Sequence, residues 1–567
     1  MSLRMKRQHV FLLLAAVLLL VAFFLFRPRP QHASLLFVNG KIYTVDPKRP
    51  IVEALAVVGD RIEGVGTSRE MRDRFAADTV IDLRGRPAYP GFIDAHAHLE
   101  GIGVALVTLN LGEKSLEEIT AMVRQEAGKG FSGQWIRGRG WDQNLWKEKT
   151  FPSHADLDVA APDVPVYLVR VDGHAVWVNR KVLALARISR DTPDPPGGRI
   201  VRNAKGEPTG VFVDNAMDLL AKLLPEPTMA ERTEAIQRAI KECLGKGITQ
   251  VHDMGADLGR VEIYRALASK GEFPFRVYVA LEGSDQKAVE RYLTSGPETG
   301  LFGGKLTVRA IKLYADGALG SRGAALIEPY TDDPRNRGLT ITNAEELELA
   351  SRRALEKGFQ ICVHAIGDRA NSIVLSAFDR AFKSMHVNGI EKRFRVEHAQ
   401  VLSAQDIARF HALGVVPSMQ PVHCTSDMPW AIDRLGKERI KGAYAWNSLI
   451  RAGSLIPGGS DAPVENPDVV RNFFAAITRQ RPDGTPAGGW NAAERMSREE
   501  ALKCFTIWGS FAAFEETKKG SLEVGKWADL VVLTDDLMTV DVRKIPEILV
   551  DMTVVGGNVV FARRGAR

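Results

Sequence analysis

Cysteine is scarce in this chain of 567 residues, and it is never clustered. The four cysteines are Cys243, Cys362, Cys424 and Cys504, and three of them stand within apolar or strand-like runs. No pair has the short spacing that thiolate zinc modules need, so the sequence excludes a site of that kind. We interpret the four residues as buried thiols, which do not indicate the compartment of the protein.

A charge excess is also missing from the body of the chain. The formal net charge of +6 arises from 75 basic and 69 acidic residues. Eight of the basic residues lie in acid-free segments at the two ends, and without them the two signs nearly balance: Arg4, Lys6, Arg7, Arg27, Arg29, Arg563, Arg564 and Arg567. The sequence therefore predicts no nucleic-acid partner.

Long apolar runs are absent apart from one near the N-terminus. Residues 10–26 are apolar and uncharged, and they follow Arg4, Lys6 and Arg7. This layout favours an uncleaved signal anchor over residues 1–33, with the body exported to the periplasm or the cell exterior and held at the membrane. Cleavage near Ala33, which would release a secreted protein, is the alternative. A membrane transport component is excluded because no second apolar span exists.

The middle of the chain alternates between apolar β-branched runs and helical stretches such as NAEELELASRRALEKG. Eight runs read as strands: PGFIDAHAH, GITQVHDMG, FRVYVALEG, VRAIKLYADG, FQICVHAIGD, RFRVEHAQ, GVVPSMQ and GSLIPGGSDAP. This alternation predicts an α/β fold with a (β/α)8 TIM-like barrel over residues 89–514. The gap between the first two strands is too long for one helix and predicts an inserted subdomain at about residues 130–225.

Both ends of the chain are β-rich and punctuated by hairpin turns, as in LLFVNGKIYTV and MTVVGGNVVFA. We therefore expect residues 34–88 and 515–567 to pair as the two parts of one composite β-sandwich. The barrel would then be inserted between the two parts.

Polar residues cluster at the predicted strand ends, where barrel enzymes place their functional groups. They are His96 and His98 on the first strand, Lys312 and Asp316 on the fourth, His364, His398 and Asp461. Each residue alone has an ordinary structural explanation, but together they mark the same end of one barrel. Nitrogen and carboxylate ligands in this mixture suit zinc, or another divalent ion such as manganese, iron or nickel. His252 and His423 match no expected ligand position, so we interpret them as packing residues.

Several motifs resemble the amidohydrolase superfamily, in particular the amidohydrolase-3 group of YtcJ-like proteins and N-substituted formamide deformylase. They are PGFIDAHAH, IKLYADGALGSR, CVHAIGDRA, RVEHAQ, GGSDAPV and GKWADLVVL, and they occur in the order of the family over nearly all of residues 34–562. The resemblance implies a metal-dependent hydrolase with a barrel and a composite β-sandwich.

The resemblance also implies roles for single residues. His96, His98 and Asp461 would bind the more buried of two metal ions, and His364 and His398 would bind the other. Lys312 would bridge the two ions as an N6-carboxylated lysine, since a buried lysine favours the neutral amine that reacts with CO2. A single ion is the alternative to two.

The implied chemistry is hydrolysis by a water molecule whose pKa a metal ion lowers to about 7. Asp461 is the expected general base, which takes the proton of this water and passes it to the leaving nitrogen. Arg322, His174 and Trp141 are the candidate substrate contacts, the last two from the insert.

The sequence thus predicts an enzyme that cleaves the amide C–N bond of a small-molecule substrate. A deaminase or cyclic-amide hydrolase on the same scaffold is one alternative, and a non-catalytic, membrane-tethered binding protein is another. A homodimer is the default assembly.

Overall fold

The computed structural model describes His9, residues 30–129 and residues 135–564. The predicted signal anchor falls almost wholly outside these residues and stays a prediction. Within the described part of the chain, no helix has both the length and the apolar character that a bilayer crossing requires.

Seven parallel strands form the barrel sheet, in sequential order around the wall. They are β1 (Phe92–Ala97), β2 (Ile248–Ala256), β3 (Arg276–Glu282), β4 (Leu306–Tyr314), β5 (Gln360–Ala365), β6 (Arg395–His398) and β7 (Val416–Ser418). A short strand, Glu298–Gly300, pairs antiparallel with β4. The sequential parallel order confirms the predicted barrel fold, because each connection returns the chain to the same end of the sheet.

The expected eighth strand is an irregular segment rather than a regular ladder. Met419 N–H donates to Pro457 O (3.1 Å), and Ala95 N–H donates to Gly458 O (2.9 Å). Residues 455–461 therefore lie between β7 and β1 and close the gap in the wall. Proline and two adjacent glycines, Gly458 and Gly459, disfavour a longer regular strand here.

Helices cover the barrel between its strands and extend it after β7. The helices between β1 and β7 are Leu99–Ala105, Met229–Gly245, Leu258–Ser269, Gln286–Ser295, Leu301–Gly304, Ala344–Lys357, Asp368–Ser384, Gly389–Lys392 and Ala404–Leu413. Those after β7 are Pro421–Asp427, Ala431–Arg439, Trp446–Arg451, Val469–Thr478, Arg498–Cys504 and Ile507–Ala512. Thr228 and Asn343 begin two of the longer ones with capping boxes, which satisfy the first free backbone N–H groups.

The two chain ends build one sandwich, as expected. One sheet contains Gln31–Val38, Ala54–Val58, Arg61–Gly66 and Phe75–Asp82, with the helix Ser68–Arg74 beside it. The other joins both ends of the chain: Lys41–Tyr43, Ile51–Val52, Pro87–Pro90, Leu530–Leu533, Val550–Val555 and Asn558–Ala562. Apolar side chains from both sheets, including Phe37, Leu55, Leu530 and Val554, share one buried core.

The insert has a six-stranded sheet of its own and starts earlier than expected, at Leu109 rather than near residue 130. Its strands are Leu109–Asn110, Ile136–Trp141, Val166–Arg170, Ala175–Val178, Gly198–Arg202 and Pro208–Asp214. Its helices are Leu116–Ala127, His154–Ala160, Arg180–Leu185 and Asp218–Ala221. The first strand has only two residues, which is why it gave no clear strand signal in the sequence.

Candidate metal centre

The two histidines of β1 meet at the carboxyl end of the barrel. His96 lies on the strand, and His98 follows it as the residue that precedes the helix Leu99–Ala105. Since alternate strand residues share a face, both rings point the same way, with their centroids 5.7 Å apart.

Asp461 completes a first group of ligand atoms with these histidines. Its Oδ1 lies 3.1 Å from His98 Nε2 and 3.4 Å from His96 Nε2. The ligand atoms of the three residues all lie within 4.8 Å of one another. Burial raises the pKa of Asp461, but the hydrogen bond from His98 and the surrounding histidines lower it further, so the net shift is well below the ordinary value.

Glu397 on β6 sets the protonation of His96. Its Oε2 accepts from His96 Nδ1 (2.6 Å), and its Oε1 lies 2.7 Å from Arg395 Nε, with all three side chains fully buried. Burial raises the pKa of Glu397, but Arg395 and His96 lower it more, and the carboxylate stays ionised. With the proton held on Nδ1, His96 Nε2 presents a free lone pair to the centre.

A second group consists of His398, His423 and Asp461. His423 Nε2 lies 3.8 Å from Asp461 Oδ2, and His398 Nδ1 donates to Gln420 Oε1 (2.8 Å). His364, at the end of β5, lies beside this group, with its ring centroid 4.6 Å from that of His398. Asp461 therefore belongs to both groups of ligand atoms.

Lys312 is buried in the barrel interior with 1% of its surface exposed. Burial lowers its pKa, while Glu397 and Asp461 act in the opposite direction, and the net shift is downward. This favours the neutral amine more than water would. The nearby Asp316 has a different role, because it accepts the backbone N–H groups of Ala325, Ile366 and Gly367 and orders the loop after β4.

The residues present fit a divalent metal ion. The Nε2 atoms of His96, His364 and His423 are buried and have no hydrogen-bond partner among the described residues. An unpaired buried polar atom is costly, and cations bound beside the Asp461 carboxylate would give such nitrogens a partner. Imidazole nitrogen and carboxylate oxygen are ligands that zinc accepts.

A cavity of about 980 Å³ opens over the centre, and both the barrel and the insert line it. His174 from the insert lines the cavity, and its ring centroid is 5.0 Å from that of His364. Its Nδ1 is 2.7 Å from Asp214 Oδ1. Burial lowers the pKa of His174, but the hydrogen bond and charge of Asp214 raise it more, so the net shift is upward.

Two predicted substrate contacts, Arg322 and Trp141, do not reach this cavity. Arg322 pairs with Asp332 (3.0 Å) and lines a separate surface cavity beside Trp430. Trp141 is fully buried in the apolar core of the insert, where its Nε1 donates to Leu168 O (2.8 Å). The ion pair of Arg322 and the core packing of Trp141 account for the two side chains without contact to a substrate.

His423 and Glu397 were missed as site residues. The packing interpretation of His423 does not account for its unpaired, buried Nε2 beside Asp461. Its position just past the end of β7, in PVHCTSD, was the available signal, because functional groups gather at strand ends. Glu397 directly precedes His398 in RVEH, and a charged residue inside a buried strand was the signal there.

Comparison with known proteins shows the family to which this chain belongs. The family model described as "Amidohydrolase family" matches residues 79–561. The YtcJ protein of Bacillus subtilis (strain 168) is 35% identical over 93% of this chain and 99% of its own length. N-substituted formamide deformylase of Arthrobacter pascens is 27% identical over 94% of this chain and 100% of its own length.

Among solved structures, an uncharacterized metal-dependent hydrolase from Pyrococcus furiosus is similar over 89% of this chain and 100% of its own. The TM-score is 0.69 and the identity is 29%.

Proposed function

We propose that this chain, which belongs to the amidohydrolase family and is a hydrolase of non-peptide C–N bonds, cleaves an amide bond of a small-molecule substrate. One observation carries the proposal: His96, His98, His398, His423 and Asp461 converge from separate barrel segments under one cavity. Partner-free, buried nitrogens at such a point suit a cation better than they suit packing.

Zinc is the metal that we propose for this centre, with His96, His98, His364, His398, His423 and Asp461 available as ligands. If Lys312 were N6-carboxylated, the carbamate oxygens would add ligands for a second ion. A metal ion bound there supplies a Lewis acid for the substrate carbonyl and lowers the pKa of water.

Asp461 is the proposed proton carrier. Its carboxylate is ionised and touches both groups of ligand atoms, so it can accept a proton from the attacking water. The same carboxylate then delivers the proton to the amide nitrogen as the C–N bond breaks.

His174 is the proposed donor to the substrate carbonyl oxygen. With its Nδ1 proton directed to Asp214, its other ring nitrogen is left for the cavity, next to the barrel histidines. The raised pKa favours a protonated ring, and a donor aimed at the developing oxyanion stabilises the transition state.

The experiment is metal analysis of the purified protein, followed by amine release from N-formyl, N-acetyl and N-benzoyl compounds. We expect at least one bound divalent ion per chain and hydrolysis of at least one amide. Asp461→Asn should lower kcat by about 10²–10⁴-fold because the proton transfer is lost. Asp535→Asn, an exposed acid on the sandwich, is the matched control and should retain full activity. Unchanged turnover in Asp461→Asn would contradict the assigned role.

A further inference from the structure

Arg139 lies in the cavity wall and has no acidic partner among the residues that the structure describes. It is half-buried, lines the cavity over the metal centre, and donates a hydrogen bond from Nη2 to Val171 O (3.1 Å). Its Nε is buried without a hydrogen-bond partner in the described part of the chain. No carboxylate within ion-pair distance of this guanidinium occurs among residues 30–129 and 135–564.

The side chain points into the cavity because of a β-bulge. The strand Ile136–Trp141 pairs in parallel with Val166–Arg170, and the register shifts between Arg139 and Trp141. Gly140 is the extra residue, with φ +113°, and a Cβ there would lie 2.8 Å from Gly112 N. In an unbroken strand Arg139 and Trp141 would share a face, whereas the bulge sends Trp141 into the insert core and leaves Arg139 toward the cavity.

The position of Arg139 is close to the reacting groups. A Cβ built on Gly173 would lie 3.0 Å from Arg139 Nη2, so the guanidinium touches the turn that carries His174. The ring centroid of His174 in turn lies 5.0 Å from that of His364. Only the turn with His174 therefore separates Arg139 from the metal centre.

Three acids of the cavity wall, Asp142, Asp172 and Asp427, are already bound to other groups. Asp142 and Asp172 both bind the buried Arg170. Asp427 accepts from Tyr444 and Gln400. Arg139 thus remains a partly desolvated cation that makes no ion pair among the described residues, and a charge of this kind is costly unless something pairs with it.

We propose that Arg139 binds a carboxylate of the substrate, which makes the substrate class N-acylated amino acids and related amides that carry an acid group. The planar fork of a guanidinium matches the two oxygens of a carboxylate. Burial lowers the pKa of Arg139, while the charges of Asp461 and Asp172 act in the opposite direction. The assignment rests on the proposed amide hydrolysis and narrows the class of amide substrates.

A binding experiment tests this assignment without turnover. The probe is 4-oxo-4-phenylbutanoate, in which a methylene replaces the amide nitrogen of N-benzoylglycine, and its methyl ester is the neutral comparison. In the metal-loaded full chain, isothermal titration should show the acid binding at least about tenfold more tightly than the ester, as expected for a charge-assisted pair.

Arg139→Met should reduce the affinity for the acid to that for the ester, and Arg139→Lys should restore part of the difference. Arg137→Met is the matched control, because Arg137 is an exposed arginine on the same strand and same face that lines only a neighbouring cavity. It should leave the preference for the acid unchanged. Equal affinities in the unmodified protein, or a preference that persists in Arg139→Met because the acid binds the metal directly, overturn the proposal.

A kinetic comparison separates this proposal from the proposed function. Values of kcat/KM are measured for N-formyl-, N-acetyl- and N-benzoylglycine and for their methyl esters. The ratio of acid to ester should fall about tenfold or more in Arg139→Met, mainly through KM. If the amide bonds of the acids and of their methyl esters are cleaved at equal rates, the carboxylate site is refuted and the amide hydrolysis stands. If no amine is released from any compound, the proposed hydrolysis is refuted, and the titration alone tests the role of Arg139.

Discussion

Glu397 links a charged group and a metal-ligand candidate inside the barrel. Its carboxylate lies between the Arg395 guanidinium and the Nδ1 of His96, and none of the three is exposed to solvent. Arg395 also donates to Ala95 O (2.6 Å), one residue before His96. The orientation of a metal ligand on β1 thus depends on a charge on β6.

Replacing this carboxylate should weaken metal binding while preserving the outline of the side chain. In Glu397→Gln, His96 loses its anionic partner and becomes a weaker ligand. We expect metal affinity to fall by about 10–100-fold, measured by competition with a chelator, with the far-ultraviolet circular dichroism retained.

The control for this variant is Glu516→Gln. Glu516 makes an arginine pair of similar geometry, with Arg393 (2.8 Å), outside the centre. Its substitution should leave metal affinity unchanged, and a loss of equal size in both variants would count against a role of Glu397 at the metal.

At the scale of elements, the segment that closes the barrel carries Asp461 and contacts β1 along its length. Asp94 Oδ1 on β1 accepts from Ser460 N–H (2.9 Å), and Asp461 N–H donates to His96 O (2.7 Å). Asp461 has a positive φ of 57°, a conformation that a regular strand would not allow. The irregular backbone is therefore what aims its carboxylate at the histidines.

Gly459 permits this close contact, because a Cβ there would lie 2.6 Å from His96 N and 2.7 Å from His96 Cβ. Gly459→Ala should push the closing segment away from β1, which destabilises the fold by about 1–3 kcal/mol and lowers metal affinity together. Urea unfolding and metal titration measure the two effects.

Gly128→Ala is the comparison for this substitution. Gly128 ends the helix Leu116–Ala127 with a negative φ, and a Cβ there meets only ordinary contacts at 3.5 Å. It should leave both quantities near the unmodified values. If Gly459→Ala kept full stability and metal affinity, the close contact would have no structural importance.

On the scale of the whole molecule, a buried ion pair joins the sandwich to the end of the barrel opposite the metal centre. Arg276, the first residue of β3, binds Asp529 through two hydrogen bonds of 2.7 and 2.9 Å. Burial raises the pKa of Asp529, but Arg276 lowers it more, so the net shift is downward. This ion pair contributes to the stability of the fold rather than to the reaction, because it lies far from the strand ends that carry the ligands.

Asp529→Asn should lower the free energy of unfolding by about 3–5 kcal/mol, because Arg276 stays buried without its counter-charge. Urea unfolding followed by tryptophan fluorescence at pH 7 measures this. Metal content should not change.

The pH dependence of the same variant follows from the sign of the shift. A lowered carboxyl pKa adds stability above the unfolded value of about 4, and this stability disappears as the pH falls. The difference between the unmodified protein and Asp529→Asn should therefore shrink on acidification. Asp541→Asn, in an exposed pair with Arg543, should be indistinguishable from the unmodified protein at pH 7.

The sequence alone sufficed where local pattern decides structure. Seven of the eight predicted barrel strands occur, and the pairing of the chain ends in one sandwich was predicted from their β-rich texture. His96, His98, His364, His398 and Asp461 could be predicted to lie together because the carboxyl ends of parallel strands meet at one edge whatever the loops do, and their role as metal ligands stays a prediction.

Only the tertiary structure decided which other residues join them. His423 enters through the helix after β7, Trp141 leaves the cavity because of the bulge at Gly140, and Arg322 is taken up by Asp332. These outcomes depend on one-residue shifts of register and on the conformation of loops, which no periodicity in the chain encodes. Strand order is determined by repeated hydrophobic pattern, whereas the direction of a single side chain is determined by the contacts around it.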